Sequence, residues 1–190
     1  MAAAMAALPR DLAGLAARVR GCMWCGLSRS RAHAVPGEGR AGARIFLVGE
    51  APGRREDEAG RPFVGAAGKI LDDALSRAGI RRQGTFITNA VKCRPPGNRK
   101  PRAAELAACE PYLLAQLAIV RPRVIVALGQ TAARDLFGRG PFPRVRGSWG
   151  SFAGTPLLAT YHPAAVLYNR RLFRTLVADL RKARRRAEAS

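Results

Sequence analysis

Acidic residues are scarce in this sequence of 190 residues. Thirteen Asp and Glu stand against 33 Lys and Arg, which gives a net charge of +20 and a pI of about 11.6. Codon bias in a GC-rich genome explains why only four of the 33 basic residues are Lys, but it does not explain the shortage of acids. A positive excess of this size attracts polyanions over long distances. The charge balance therefore favours a nucleic-acid partner.

Long uncharged runs and a leader sequence are also missing. The Ala-rich residues 1–9 carry no basic leader and are followed at once by Arg10 and Asp11. The longest stretch without a charged residue, 147–169, contains four Gly or Pro breakers before His162, so it cannot form one membrane-spanning helix. We therefore expect no membrane association and a cytoplasmic location, at the nucleoid of a prokaryotic cell.

Cysteine is limited to four residues, Cys22, Cys25, Cys93 and Cys109. Disulfides are not expected in an intracellular protein, so the four thiols need another explanation. A C-x2-C pair brings two thiolates to one metal, and two distant cysteines complete a set of four. The spacing favours a metal site over four separately buried thiols, but it does not distinguish zinc from a [4Fe–4S] cluster.

Apolar runs alternate with helical segments along the chain. The runs 44–49, 85–93, 123–129 and 155–162 are apolar on both alternations, as in strands that are buried on both faces. Helical periodicity covers the intervening and following segments, which are 65–79, 103–120, 131–137 and 164–187. This alternation predicts an α/β fold with a central, mainly parallel four-stranded sheet flanked by helices. The length of the chain predicts a single domain over 1–190, with an N-terminal helical segment (1–21) and a basic tail (181–190).

Polar residues stand at the ends of three predicted strands. Glu50 follows the first strand, Asn89 lies near the end of the second, and His162 ends the fourth. The carboxyl ends of parallel strands share one edge of a sheet, where ligands bind. We therefore expect these three side chains to converge on one site. Phe63, between glycines ahead of a helix, is either a core residue or a stacking surface for a flat ring.

Together these residues resemble one family, the family 4 uracil-DNA glycosylases, which is the iron–sulfur type. The matching elements are GEAPG (49–53), GRPFVGAAG (60–68), TNAVKCRPPGNR (88–99), CEPYL (109–113) and YHPAAVL (161–167). They follow the order and spacing of that family and span nearly the whole chain. The resemblance, and not the cysteine spacing, selects [4Fe–4S] over zinc. It also implies a three-layer fold and a monomer.

The resemblance implies a role for each site residue. Uracil is flipped out of single- or double-stranded DNA into a pocket, its glycosidic bond is hydrolysed, and base excision repair begins. The implied catalytic residues are Glu50 and Asn98, which position water, and His162, which donates a hydrogen bond to uracil O2. The implied uracil-binding residues are Gly49, Glu50, Ala51, Phe63, Asn89 and His162. The implied DNA contacts are Arg94, Arg99, Lys100 and Arg170, with Val166 or Leu167 as the wedge that replaces the flipped base.

Two positions depart from better-known uracil glycosylases of another family. Ala51 and Gly53 stand where those enzymes carry a water-activating Asp and a Tyr that blocks the thymine methyl group. The departure fits family 4 but leaves the general base unassigned.

Two alternative functions remain. A covalent uracil-trapping relative needs a histidine in the loop after the second strand, where residues 97–100 contain none. A non-catalytic iron–sulfur module for DNA binding or redox sensing would need the cysteines and not His162. The sequence does not indicate whether a clamp or another protein partner binds.

Overall fold

The computed structural model describes residues 8–137 and 142–189 and places a six-stranded sheet at the centre of the protein. The strands are β1 (Glu38–Gly39), β2 (Ile45–Gly49), β3 (Thr85–Asn89), β4 (Val124–Leu128), β5 (Trp149–Phe152) and β6 (Thr155–Thr160). Their order across the sheet is β1-β3-β2-β4-β6-β5. The four inner strands are parallel, while each edge strand is antiparallel to its neighbour. The predicted α/β class with a mainly parallel sheet is confirmed.

The predicted count of four strands is wrong, because two edge strands flank the predicted four. Every residue of β2, β3 and β4 is buried, which gives the continuous apolar runs that revealed them. The missed β5 alternates between exposed and half-buried residues, and the missed β1 has only two residues. Neither edge strand therefore carries the apolar run by which the inner strands were identified.

Helices cover both faces of the sheet. They are α1 (Leu12–Arg20), α2 (Arg54–Ala59), α3 (Ala66–Arg77), α4 (Ala103–Val120), α5 (Gln130–Phe137), α6 (Phe142–Val145), α7 (Pro163–Tyr168) and α8 (Leu172–Ala189). On one face, α3 and α8 bury their apolar stripes against Leu47 and Val126. On the other, α4 and α5 pack against Phe46 and Ile125. The layers are therefore helix, sheet and helix, as the resemblance implied.

One predicted helix, over 164–187, is divided into α7 and α8. The break lies at Asn169, whose backbone is extended and whose side-chain Oδ1 accepts a hydrogen bond from the Arg171 backbone N–H at 3.1 Å. Asn competes in this way with the helical hydrogen-bond pattern. The break leaves α7 as a short helix directly after His162.

The N-terminal part of the chain packs on α4. Asp11 caps α1 by accepting a hydrogen bond from the Gly14 backbone N–H at 2.8 Å. Trp24, between the two closely spaced cysteines, stacks on Tyr112 of α4 with ring centroids 4.7 Å apart. Of the predicted helical segment 1–21, residues 1–7 lie outside the described part, as does Ser190 of the basic tail.

Helix α4 is apolar enough to cross a membrane by length and composition alone. Half of it is buried inside the protein, and the buried positions include the polar residues Glu105 and Gln116. Its apolar surface is therefore used in packing against the sheet and the N-terminal segment.

Candidate active site

A cavity of about 340 Å³ opens at the carboxyl ends of the parallel strands. We call it the strand-end pocket; its lining residues are Glu50, Ala51, Pro52, Gly53, Glu56, Phe63, Ala67, Asn89, Pro95, Asn98, Arg99, His162 and Ala164. Glu50, Asn89 and His162, which follow or end three different strands, thus line one cavity. This is the arrangement that parallel-sheet topology predicts.

Asn89 supplies a buried acceptor to the pocket. It is the last residue of β3 and is only 2% exposed. Among the described residues, its side-chain Oδ1 has no hydrogen-bond partner. A buried acceptor without a partner is costly, and in a pocket it calls for a donor from a ligand. Gly49 makes room for it, because a Cβ there would lie 2.3 Å from Oδ1 and 2.8 Å from Phe63 Cζ.

Phe63 forms an apolar wall beside Asn89. Its backbone has φ of 52°, a left-handed conformation that is rare for a bulky residue. Gly68, in the first turn of α3, permits this placement, because a Cβ at Gly68 would lie 1.9 Å from the Phe63 carbonyl oxygen. Strained backbone of this kind persists where the surrounding packing fixes it, often at ligand sites. The Phe63 ring centroid lies 5.7 Å from that of His162.

His162 has one nitrogen engaged and the other available. Its Nδ1 accepts a hydrogen bond from the Ala164 backbone N–H at 3.1 Å, so a neutral ring carries its proton on Nε2. Burial lowers the pKa of His162 from 6.5 to about 4, and the charge of Glu56 opposes this shift only in part. The imidazole is therefore neutral near pH 7. A neutral ring with Nε2–H donates a hydrogen bond without adding a charge to the site.

Glu50 and Asn98 lie at different depths of the pocket. Glu50 is half-buried, and its carbonyl oxygen accepts from the Val91 backbone N–H at 3.2 Å. Asn98 is exposed in the loop after β3, and its Oδ1 accepts from Arg94 Nε at 2.7 Å. Both residues line the pocket, as expected, but the Asn98 oxygen is already partnered. Its NH₂ group remains the part of that side chain best suited to a ligand or water.

Glu56 is a pocket residue that sequence reasoning missed. Its Oε1 accepts hydrogen bonds from the backbone N–H groups of Val64 and Gly65, at 2.9 and 2.8 Å. Its Oε2 occupies the space beside Gly53, where an added Cβ would lie 2.7 Å from it. The sequence-based prediction depended on polar residues at strand ends, whereas Glu56 lies inside α2. Its helix was itself not predicted, and no other signal in the sequence marked it.

The four cysteines line a second, smaller cavity, which we call the cysteine cavity. Its lining residues are Val19, Cys22, Trp24, Cys25, Ser28, Arg31, Lys92, Cys93, Ala108, Cys109 and Tyr112. Arg31 Nη1 donates to Cys93 Sγ at 3.0 Å, and the Trp24 backbone N–H donates to Cys22 Sγ at 3.4 Å. Burial raises the pKa of the Cys93 thiol, and it raises that of Cys109 to about 12.

These thiols are not gathered at one point. Within residues 8–137 and 142–189, no group of three or more His, Cys, Asp or Glu side chains has the arrangement to hold a single metal ion. The structure thus brings the predicted ligand set to one cavity. The identity of what binds there stays a prediction.

Known proteins resemble this chain over most of its length. The family model of the uracil DNA glycosylase superfamily matches residues 36–183. The type-4 uracil-DNA glycosylase of Pyrobaculum aerophilum is 51% identical over 166 residues, which cover 83% of this chain and 85% of that protein. The chain belongs to the uracil DNA glycosylase superfamily.

Within the superfamily, the resemblance to the type-4 proteins is confirmed. The type-4 uracil-DNA glycosylase of Thermotoga maritima is 46% identical over 175 residues, with 88% of this chain and 90% of that protein covered. A type-5 uracil-DNA glycosylase of Thermus thermophilus is 38% identical over 152 residues, or 69% of each chain. The motifs that suggested the family thus belong to a likeness that extends over both the sheet and the pocket.

The expected DNA contacts of this superfamily member differ in their availability. Arg99 is held by two hydrogen bonds to Glu105, at 2.6 and 2.8 Å, so it is a weaker candidate for phosphate than its position suggested. Lys100 and Arg170 are exposed. Arg94 is half-buried and contacts Asn98.

The two wedge candidates differ in exposure. Val166 is 5% exposed and packs in the core with residues of α3 and α8, which makes Leu167 the stronger candidate. Leu167 is 51% exposed, and its neighbour Tyr168 is 92% exposed. In a short helix, adjacent residues point in different directions, which puts one in the core and the next at the surface.

Proposed function

We propose that this chain is a uracil-DNA glycosylase that initiates base excision repair. It flips uracil out of single- or double-stranded DNA, hydrolyses the N-glycosidic bond, releases free uracil and leaves an abasic site. The observation that carries the proposal is the buried Oδ1 of Asn89, which has no partner in the described part of the chain and lines a pocket with the Phe63 ring and the neutral His162 imidazole. The type-4 names of the relatives supply the substrate.

Asn89 reads the edge of the flipped base. Its Oδ1 accepts from uracil N3–H, and its NH₂ group donates to uracil O4. Cytosine presents an acceptor at N3 and a donor at C4, so it would leave both groups of the amide unpaired. A site built in this way rejects the wrong base through the cost of buried, unsatisfied groups. Phe63 stacks on the flat ring and fixes its plane.

His162 stabilises the leaving group. As the C1′–N1 bond breaks, its electron pair moves to the uracil N1/O2 system and positive character develops on the sugar. The Nε2–H of His162 donates to O2, an electrostatic contribution of about 3 kcal/mol by analogy with oxyanion-hole donors. Because the ring is neutral, it donates this hydrogen bond without giving up a proton.

Glu50 favours the sugar cation and the attack of water. Glu50 lines the same pocket as the base-reading residues, and its carboxylate opposes the developing positive charge. With Asn98 it positions a water molecule, whose oxygen bonds to C1′ as the glycosidic bond opens. Glu50 accepts the proton that this water loses. The assignment of Glu50 as the base rests on its position, because Ala51 leaves the pocket without the Asp of other glycosylases.

The cysteine cavity fits an iron–sulfur cluster. It offers four thiols, a guanidinium hydrogen bond to Cys93 and a backbone N–H to Cys22, which are partners typical of cluster-bound sulfur. The ligands of a polynuclear cluster stand farther apart than those of one ion, which suits thiols spread around a cavity. Cys22, Cys25, Cys93 and Cys109 would hold a [4Fe–4S] cluster, whose role is to tie the N-terminal segment to α4 and to the loop after β3.

The positively charged surface binds the DNA backbone. The exposed Lys100 and Arg170 contact phosphates, and the exposed Leu167 fills the space left by the flipped base. We propose a monomer in the cytoplasm of a prokaryote, in line with the prokaryotic sources of the relatives.

Uracil release tests the proposal directly. Purified protein is incubated with a uracil-containing oligonucleotide, and abasic sites are converted to strand breaks with hot alkali. We expect breaks with the wild type, and a loss of about 100-fold or more in His162→Ala and Asn89→Ala. His33→Gln is the matched control, because His33 lies outside the pocket and binds the Asp57 carbonyl oxygen. Equal cleavage by the wild type and both pocket variants would refute the site.

A non-catalytic iron–sulfur module is the second candidate. The buried cysteine cavity alone would support it. In that case, DNA would bind and the cluster would be present, but no strand breaks would follow. A covalent trap would instead give a protein–DNA adduct, which a denaturing gel separates from a free abasic product.

A further inference from the structure

Among the described residues, Lys92 is the only buried lysine, and it lies between the two cavities. It is 1% exposed and lines the cysteine cavity, next to Cys93. Its Nζ donates to the carbonyl oxygen of Asn89 at 2.7 Å, three residues back along the chain. One end of this side chain therefore touches the residue that reads uracil, and its backbone belongs to the segment that holds the cysteines.

The Lys92 ammonium uses all of its donors on neutral acceptors. Besides the Asn89 carbonyl, Nζ donates to Thr88 Oγ1 at 2.7 Å and to Gln116 Oε1 at 2.8 Å. Gln116 in turn donates to the Pro36 carbonyl oxygen, which also accepts from the Thr88 hydroxyl. An ammonium has three donors and no acceptor, so three acceptors around it fit the charged form.

No carboxylate balances this buried charge. In the described parts of the chain, Lys92 makes no ion pair with any Asp or Glu within 4.0 Å. A buried charge is expensive unless it is paired or compensated by a metal centre. Cys93 and Cys109 line the same cavity as Lys92. Four thiolates on an iron–sulfur core would leave a net negative charge, which would supply the missing counter-charge.

We propose that Lys92 is a positioning residue that couples the iron–sulfur cluster to the uracil-reading Asn89. The inference rests on the proposed function. The cluster provides the negative charge that keeps the ammonium in the protein interior. The ammonium holds the Asn89 carbonyl and thereby fixes the end of β3, from which the Asn89 side chain enters the strand-end pocket.

Two consequences follow from this coupling. A cation beside the cluster stabilises its more negative, reduced form, so loss of the cation lowers the reduction potential. Loss of the Nζ hydrogen bond also frees the backbone of Asn89 and slows uracil release. A residue that served only to fill the core would affect stability and leave the potential unchanged.

The test compares Lys92→Met with Thr88→Val in cluster-containing protein. Both variants remove the hydrogen bond between Lys92 and Thr88, but only the first removes the charge and the hydrogen bond to the Asn89 carbonyl oxygen. For Lys92→Met, we expect a more negative midpoint potential in a spectroscopic redox titration, together with uracil release slowed by about tenfold. For Thr88→Val, we expect the wild-type potential and a smaller loss of activity. An unchanged potential in Lys92→Met overturns the proposal.

A third variant covers the case in which Lys92→Met does not fold. Gln116→Glu keeps the lysine but gives it a carboxylate partner, so the local charge falls by one. The potential should shift in the same negative direction, and the wild-type potential in this variant would contradict the proposal. Failure of the proposed function is distinguished by the wild type, which would then release no uracil or lack iron. Failure of the present inference leaves the wild type active and iron-loaded.

Discussion

The strand-end pocket and the cysteine cavity both use residues of the segment 89–93, but they differ in charge. In the pocket, Asn89 Oδ1 has no partner within residues 8–137 and 142–189, and His162 is neutral with Nε2–H available. In the cavity, Arg31 donates to a cysteine sulfur, and Lys92 is buried with no carboxylate of the described chain paired to it. A site that binds a neutral base and then releases it needs hydrogen-bond donors and acceptors that are available to the ligand. A site that holds a charged group permanently is surrounded by fixed counter-charges.

In our proposal, one small protein combines a structural metal group with a glycosylase reaction in a separate pocket. In our proposal, the cavity fixes the segment 89–93, and the pocket uses the first residue of that segment. The chemistry in the pocket then needs a carboxylate, an amide and an imidazole held in place, and no group that changes its oxidation state. Each region can be perturbed by itself, which makes the comparison testable.

The strongest effect should come from removing one of the proposed cluster ligands. In Cys109→Ala, the N-terminal segment loses its tie to α4, and we expect loss of the absorbance near about 400 nm and rapid proteolysis around α1, because metal binding and folding are coupled. Leu113→Ala is the matched control. It removes a side chain of the same helix that is 3% exposed, and it costs about 2–5 kcal/mol of stability through a cavity while keeping the absorbance. Full absorbance in Cys109→Ala would show that Cys109 is not a ligand.

A smaller effect concerns the ionisation of His162. Burial lowers its pKa from 6.5 to about 4, so the ring stays neutral until the pH falls to about 4. Between these values the unfolded chain binds a proton that the folded protein does not, so this group lowers stability as the pH falls through that window. An NMR titration of the ring, assigned with His162→Ala, measures the midpoint. A midpoint near 6.5 would mean that the pocket is wetter than the structure indicates.

Sequence reasoning predicted the inner strands well, because strands that are buried on both faces consist of continuous apolar runs. The bounds of α4 coincide with the predicted 103–120, and the four inner strands fall within their predicted runs. The predictions failed where local chemistry overrides periodicity. The Asn169 side chain ends α7, and the edge strand β5 is half-exposed. Neither feature changes the average polarity of its segment.

The residues that line the strand-end pocket were easier to predict from the sequence than the residues that hold them in place. Glu50, Asn89 and His162 stand at strand ends, so topology alone brings them together. Glu56 acts from inside a helix through two backbone N–H groups, which no spacing rule reveals. The environment of Lys92 depends on Gln116, which is 24 residues away in the sequence. Interactions of this kind require the packed structure.

Base preference gives the sharpest test, because the proposed mechanism requires the Asn89 amide to recognise the uracil edge. The measurement is the release of free uracil and free cytosine from matched oligonucleotides by Asn89→Asp, with Asn169→Asp as the same change outside the pocket. We expect Asn89→Asp to release uracil at least about 100-fold more slowly and to begin to release cytosine, while the control behaves as the wild type. Uracil release at the wild-type rate by Asn89→Asp, with cytosine untouched, would contradict the proposed mechanism.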